Sequence, residues 1–163
     1  MRLRKLTHLD ERGRASMVDV SGKEATRRVA VAEGTVTLGA EAFRLLRKGT
    51  LAKGDALAVA RLAGIQAAKR TSEWIPLCHQ VPLERIDVEI TLAARGRAVR
   101  IRTQVEARHA TGVEMEALVA VSAAALALYD MTKGVDRGAT IGPIRLLEKR
   151  GGRSGTWTRR LIR

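Results

Sequence analysis

Alternating apolar and polar positions predict a β-hairpin in the middle of the chain. Apolar residues occupy positions 86, 88, 90 and 92 and then positions 99, 101 and 105, which is the period of a half-buried strand. A two-residue turn at Arg95-Gly96 would place Ile90 opposite Ile101, and Glu89 opposite Arg102 on the other face. Because an apolar pair and an oppositely charged pair favour the same register, the two patterns predict one hairpin.

Five further elements flank this hairpin. The pattern predicts a strand over 28–38 with a bulge or bend at Gly34, a helix over 40–48 that ends at Gly49, a helix from the N-cap Asp55 to about Arg70, a helix over 113–133, and a last strand over 141–149 in which Pro143 favours an edge position or a bulge. Strand, two helices, two strands, helix and strand is an α+β order. It predicts one antiparallel sheet with helices on one face.

The helix predicted over 113–133 is apolar around its whole circumference and rich in alanine. A helix without a polar face has to be covered on every side. We therefore expect a sheet to cover it, together with a second helix or another subunit.

Length and composition favour a single soluble domain over 1–163. Hydrophobic residues make up 45% of the 163 residues, as is typical of globular proteins. Since Cys78 is the only cysteine, an internal disulfide and a cysteine-rich zinc site are both excluded. The longest uncharged apolar run, 117–129, is shorter than the ~20 residues of a membrane span. The expectation is a cytoplasmic protein without a membrane partner.

The net charge of +13 lies mainly in the ends of the chain. Residues 1–30 contribute +4 and residues 145–163 contribute +6, which leaves +3 for the body. We expect flexible basic ends at about 1–16 and 151–163. Nucleic-acid-binding domains usually carry a basic stripe and aromatic side chains for stacking, whereas this chain has four aromatic residues. A polyphosphate would satisfy the charge as well as a nucleic acid would.

His79 is a candidate for acid–base chemistry because of the loop that holds it. Pro76 and Pro82 bracket it, and prolines exclude regular helix and stiffen a loop. An imidazole titrates near neutrality, so His79 is a candidate proton carrier or, equally, a structural hydrogen-bonding group. Its neighbour Cys78 has no activating context and is interpreted as a packing residue.

Asp130 and Lys133 stand three residues apart, so their side chains share one face of the predicted helix. This spacing alone favours a simple salt bridge over an acid–base pair. Lys53 precedes a helix start, where anions are favoured. The glycine-rich run over 151–155 is either a phosphate-binding loop or a flexible tail.

Several strings resemble one enzyme family, the cyclic pyranopterin monophosphate synthases. The resemblance covers about 6–155, and it rests on ordered blocks at 17–21, 53–79, 111–118, 129–131 and 141–155. It implies a ferredoxin-like α+β fold and a homohexamer, a trimer of dimers with active sites at the dimer interfaces. It also implies a cyclised GTP derivative as substrate, with no metal, no cofactor and no nucleic-acid partner.

The resemblance also implies roles for particular residues. Asp130, Lys133, Lys53 and His79 match the family's catalytic positions. Substrate-binding positions are matched by Leu77, Cys78, His79, Glu114, Met115, Glu116, Arg28, Lys69 and Lys149. The chain departs from the common pattern at Gln80, where proline is frequent, and at Arg153, where lysine is usual. A nucleic-acid-binding protein and a catalytically silent scaffold are the rival interpretations.

Overall fold

Six antiparallel strands form one sheet in the computed structural model, which describes residues 12–160. The strands are β1 (Thr26–Thr37), β2 (Arg85–Ala93), β3 (Ala98–His109), β4 (Thr140–Ile141), β5 (Arg145–Arg150) and β6 (Trp157–Thr158). The helices are α1 (Ala40–Lys48), α2 (Ala56–Ala68), the single turn α3 (Thr71–Trp74) and α4 (Glu114–Thr132).

The strands lie in the order β2-β3-β1-β5-β6, and β4 pairs with the end of β1. With helices between β1 and β2 and between β3 and β5, this order is the ferredoxin-like arrangement. Helix α4 packs on β1 and β3, while α2 packs on α4 and β2. The predicted α+β class is therefore confirmed, with α2 and α4 packed against the antiparallel sheet.

The predicted hairpin is confirmed in its exact register. Ile90 pairs with Ile101 and Glu89 pairs with Arg102, and the amide of Arg97 closes the turn on the carbonyl of Ala94 at 3.2 Å. The predicted helix boundaries are confirmed in two further places. Gly49 ends α1 in the left-handed conformation, and the Asp55 carboxylate caps α2 through two backbone amides.

Of the bulge or bend predicted at Gly34, the bulge is wrong. Gly34 pairs regularly with Ile101 inside the β1–β3 ladder. A Cβ at this position would lie 2.6 Å from the side chain of Val121 on α4, so glycine allows the helix to pack closely on the sheet. The irregularity in β1 lies between Val31 and Ala32, opposite β5.

The single strand predicted over 141–149 is also wrong. It is divided into β4 and β5, and Pro143 lies between them, because proline has no N–H to donate to a ladder. Strand β5 is not an edge strand, since β6 pairs with its outer side. The sequence pattern did not predict β6.

The expected covering of α4 is found in part within the chain. Its buried residues include Ala117, Val121, Ala124 and Leu128, which join the main core. By length and hydropathy α4 could cross a membrane, yet half of it is buried inside the fold. Leu126 remains 53% exposed and lines a groove with Trp74, which is 52% exposed. Leu62, on the neighbouring helix α2, is 65% exposed. These three residues, here called the apolar patch, are large apolar side chains of the helix layer that one chain leaves exposed.

Candidate active site

Asp130 lies between two lysines at the C-terminal end of α4. Lys53 donates to Asp130 Oδ2 at 2.8 Å and to its backbone carbonyl at 2.9 Å. Lys133 Nζ lies 2.8 Å from Asp130 Oδ1. Lys53 reaches the site because α2, which begins just after it, packs along α4. These three residues, here called the lysine–aspartate cluster, lie together, and all three are positions for which the resemblance implies a catalytic role.

The two ammonium groups determine the protonation of this cluster. Hydrogen bonds from Lys133 and then Lys53 lower the pKa of Asp130 to about 2. The same bond to Asp130 raises the pKa of Lys133. At neutral pH the free cluster is therefore a carboxylate held between ammonium groups. It therefore offers ammonium proton donors and a carboxylate that is only weakly basic while both lysines hold it.

A cavity of about 390 Å³ lies at the opposite, N-terminal end of α4. The candidate residues that line it are Leu77, Cys78, His79, Glu114, Met115 and Glu116. His79 Nε2 donates to the carbonyl of Val18 at 2.8 Å, so that nitrogen carries a proton because a carbonyl only accepts. Burial and the nearby Glu116 raise the pKa of the Cys78 thiol, which favours the packing role over a nucleophilic one.

Glu116 is the buried acid of this cavity, at 4% exposure. Burial raises its pKa to about 7, and the negative charge of Glu114 adds to the effect. A position in the first helical turn favours an anion by ~0.3–1 kcal/mol, so burial outweighs the helix dipole here. Glu116 is therefore about half protonated near neutral pH, and its neutral form can donate a hydrogen bond to a ligand.

Titration of Glu116 makes stability depend on pH. The folded pKa of about 7 exceeds the ordinary 4.5, so the contribution of neutral Glu116 is complete below pH 4.5 and is lost as pH rises through 7. The shift corresponds to roughly 3 kcal/mol at most. We expect Glu116→Gln to remove this pH-dependent loss of stability. Urea unfolding of the wild-type and variant proteins at pH 5 and pH 8, at one protein concentration, would measure it. Equal pH dependence in the two proteins would contradict the assignment.

Two of the three basic candidates lie beside the N-terminal cavity without lining it. Lys149 Nζ lies 3.8 Å from Glu114 and contacts the hydroxyl of Ser154. Arg28 donates to the carbonyls of His109 and Ala110, both at 2.9 Å. Lys69 instead borders a separate groove formed with residues 80–83. Residues 12–160 contain no group of three or more His, Cys, Asp or Glu side chains that could hold a metal ion.

Apart from Lys69, the candidate residues of one chain thus form two separate sites. Glu116 and Asp130 are 14 residues apart on α4, which corresponds to about 21 Å along the axis. His79 belongs to the N-terminal cavity and the lysine–aspartate cluster to the other end. One chain therefore does not assemble the four predicted catalytic residues around a single ligand.

Five residues that also line the N-terminal cavity have no role predicted from the sequence. These are Val18, Val20, Lys23, Thr111 and Gly112. Val18 and Val20 lie in the block at 17–21, which contributed to the family resemblance but contains no residue assigned a role there. That block is the signal that could have indicated their position.

Comparison with known proteins covers both sites. Residues 17–152 match the MoaC family, a range that contains every candidate residue. A cyclic pyranopterin monophosphate synthase of Thermomicrobium roseum is 59% identical over 94% of this chain and 93% of its own length. Proteins of the same name from Heliobacterium modesticaldum and, as synthase 2, from Mycobacterium bovis are 55% and 56% identical. They align over 94% and 95% of this chain and over 97% and 92% of their own lengths. Because the family match spans residues 17–152 and these relatives are 55–59% identical over nearly the whole chain, the chain belongs to the MoaC family.

Proposed function

We propose that the chain is a cyclic pyranopterin monophosphate synthase, a lyase of molybdenum cofactor biosynthesis in the cytoplasm. Its reaction converts 3′,8-cyclo-7,8-dihydroguanosine 5′-triphosphate to cyclic pyranopterin monophosphate and pyrophosphate. The observation that carries the proposal is the 55–59% identity to proteins of that name, along more than nine-tenths of their length and of this chain. The chemistry of the two sites agrees with it. The lysine–aspartate cluster offers proton carriers, and the N-terminal cavity has cations beside it.

In this proposal the N-terminal cavity holds the purine-derived rings. Residues 77–79 and 114–116 line the wall against which the rings would lie. The triphosphate would be held by Arg28, Lys69 and Lys149. Of these three residues, Arg28 and Lys149 lie closest to this cavity. A ribose-derived hydroxyl attacks the inner phosphorus, the bond from that phosphorus to the bridging oxygen breaks, and pyrophosphate leaves. Nearby cations stabilise the negative charge that develops on it.

Proton transfer during ring opening and closure is assigned to the lysine–aspartate cluster and His79. Lys133 is protonated in the free protein because its pKa is raised, so the cluster holds a proton there. Asp130 holds Lys133 and Lys53 in place through bonds of 2.8 Å to each. Substrate that takes over one of these bonds would convert the cluster into a base as well as an acid.

The separation of the two sites supports a composite active site. Since about 21 Å of helix divides them in one chain, the cluster of one subunit would face the cavity of its dimer partner. We propose a homohexamer, a trimer of dimers, that brings them together. The apolar patch of Leu62, Trp74 and Leu126 offers an exposed surface suited to contact between copies.

The decisive experiment supplies the cyclised dihydro-GTP substrate to purified protein and measures pyrophosphate and pyranopterin. We expect both products in equal amounts, and none from an Asp130→Asn variant of the same oligomeric state. Absence of product at micromolar protein would contradict the proposal. Salt-sensitive, sequence-tolerant binding of RNA or DNA in place of turnover would favour the nucleic-acid-binding alternative.

A further inference from the structure

A second cavity, of about 620 Å³, adjoins the first and is strongly basic. Its wall includes Lys23, Glu24, Thr26, Arg28, Arg153 and Ser154. The two cavities share Lys23. Three cations against one exposed carboxylate leave an excess of two positive charges around the space, which favours an anionic occupant.

The cations of this second cavity are not neutralised by ion pairs within the described chain. Arg28 donates to two backbone carbonyls, which orient its guanidinium without cancelling its charge. Among residues 12–160, no carboxylate lies within 4.0 Å of the charged nitrogens of Lys23 or Arg153. The positive charge is therefore available to a ligand.

The glycine-rich loop is shaped around Arg28. Gly151 and Gly152 have φ angles of 98° and 73°, in the region that favours glycine. A Cβ on Gly152 would lie 1.9 Å from Arg28 Nη1. Because any side chain at this position would displace the guanidinium, the two glycines let the loop close over Arg28 and leave the cavity open beside it.

Thr26 carries an unpaired hydroxyl at the same place. Its Oγ1 is inaccessible to solvent and has no hydrogen-bond partner, although buried hydroxyls are nearly always paired. The residue itself lines the cavity. Rotation about its Cα–Cβ bond breaks no hydrogen bond, because the hydroxyl makes none in the free protein.

We propose that the Thr26 hydroxyl donates a hydrogen bond to a phosphate oxygen of a polyphosphate bound in the second cavity, beside Arg28, Lys23 and Arg153. Phosphate oxygens accept hydrogen bonds, and a hydroxyl supplies the donor. The inference rests on the proposed function in so far as it names the triphosphate of the substrate, and later pyrophosphate, as the occupant. Thr26 is then a positioning residue for the phosphate chain.

The test is calorimetric titration of purified protein with pyrophosphate. We expect Thr26→Val, which replaces the hydroxyl by a methyl of the same shape, to weaken binding about tenfold, as for a lost bond to a charged group. Thr26→Ser should bind close to wild type, because it keeps the hydroxyl. Thr37→Val, at the exposed far end of the same strand, is the matched control and should not change affinity.

Thermal unfolding separates this role from a structural one. Since the hydroxyl has no partner in the free protein, Thr26→Val should not lower Tm. Unchanged pyrophosphate affinity in Thr26→Val, or no binding by wild type at millimolar pyrophosphate, would overturn the inference. Pyrophosphate binding is measured without turnover, so the two proposals can fail separately. If Thr26→Val alone binds pyrophosphate more weakly and the wild type forms no product, the role of Thr26 in the second cavity is upheld and the proposed reaction is rejected.

Discussion

Co-expressed Asp130→Asn and His79→Ala chains are expected to regain about a quarter of wild-type activity, although each variant alone is inactive. The two substitutions affect opposite ends of α4, about 21 Å apart. If each active site takes the lysine–aspartate cluster from one subunit and the cavity from its partner, a mixed dimer contains one site free of both substitutions. Random pairing makes about half of the dimers mixed, and half of their sites are intact.

The matched control combines two substitutions within one cluster. Chains carrying Asp130→Asn and chains carrying Lys133→Ala both damage the lysine–aspartate cluster, so a mixed dimer has no intact site and should remain inactive. Different affinity tags on the two chains isolate the mixed oligomers, and sedimentation checks that all of them are hexamers. Equal recovery in test and control, or none in the test, would contradict a composite site.

The fold could be predicted where the deciding interactions are local. Asp55 caps α2 with its own side chain, and the Glu89–Arg102 pair agrees with the apolar register beside it. Gly34 could not be interpreted correctly from sequence, because its role depends on Val121, which lies 87 positions later. The division at Pro143 and the small strand β6 likewise depend on tertiary pairing with β1 and β5.

In the candidate site, too, local contacts could be predicted from the sequence and tertiary contacts could not. The spacing of Asp130 and Lys133 predicted their contact, since three residues bring side chains together on a helix. Their position opposite Lys53 requires α2 to pack along α4, which no local pattern contains. The raised pKa of Glu116 similarly follows from burial by distant elements. Local spacing thus identifies side chains that contact each other on one helix. Tertiary packing decides which of the other candidate residues join them in one site and which lie at the opposite end of the helix.

Lys133→Ala is expected to lower kcat by at least about a hundredfold, the range for loss of a positioned acid or base. The substitution removes the hydrogen bond that contributes most to lowering the pKa of Asp130, so this pKa should rise from about 2 toward its ordinary 3.8. Lys53 still contacts Asp130 at 2.8 Å, and the carboxylate therefore stays ionised at neutral pH. The loss would then reflect the missing ammonium rather than a protonated aspartate.

Lys48→Ala provides the matched control for this loss, because Lys48 is an exposed lysine in the last turn of another helix. It should keep wild-type kcat. Lys133 is half exposed, and surface ion pairs contribute only ~0–1 kcal/mol, so both variants should retain the fold and the oligomer, as circular dichroism and sedimentation would verify. Wild-type kcat in an intact Lys133→Ala oligomer would remove Lys133 from the mechanism. The Asp130–Lys133 pair would then be the simple salt bridge that its spacing alone favours.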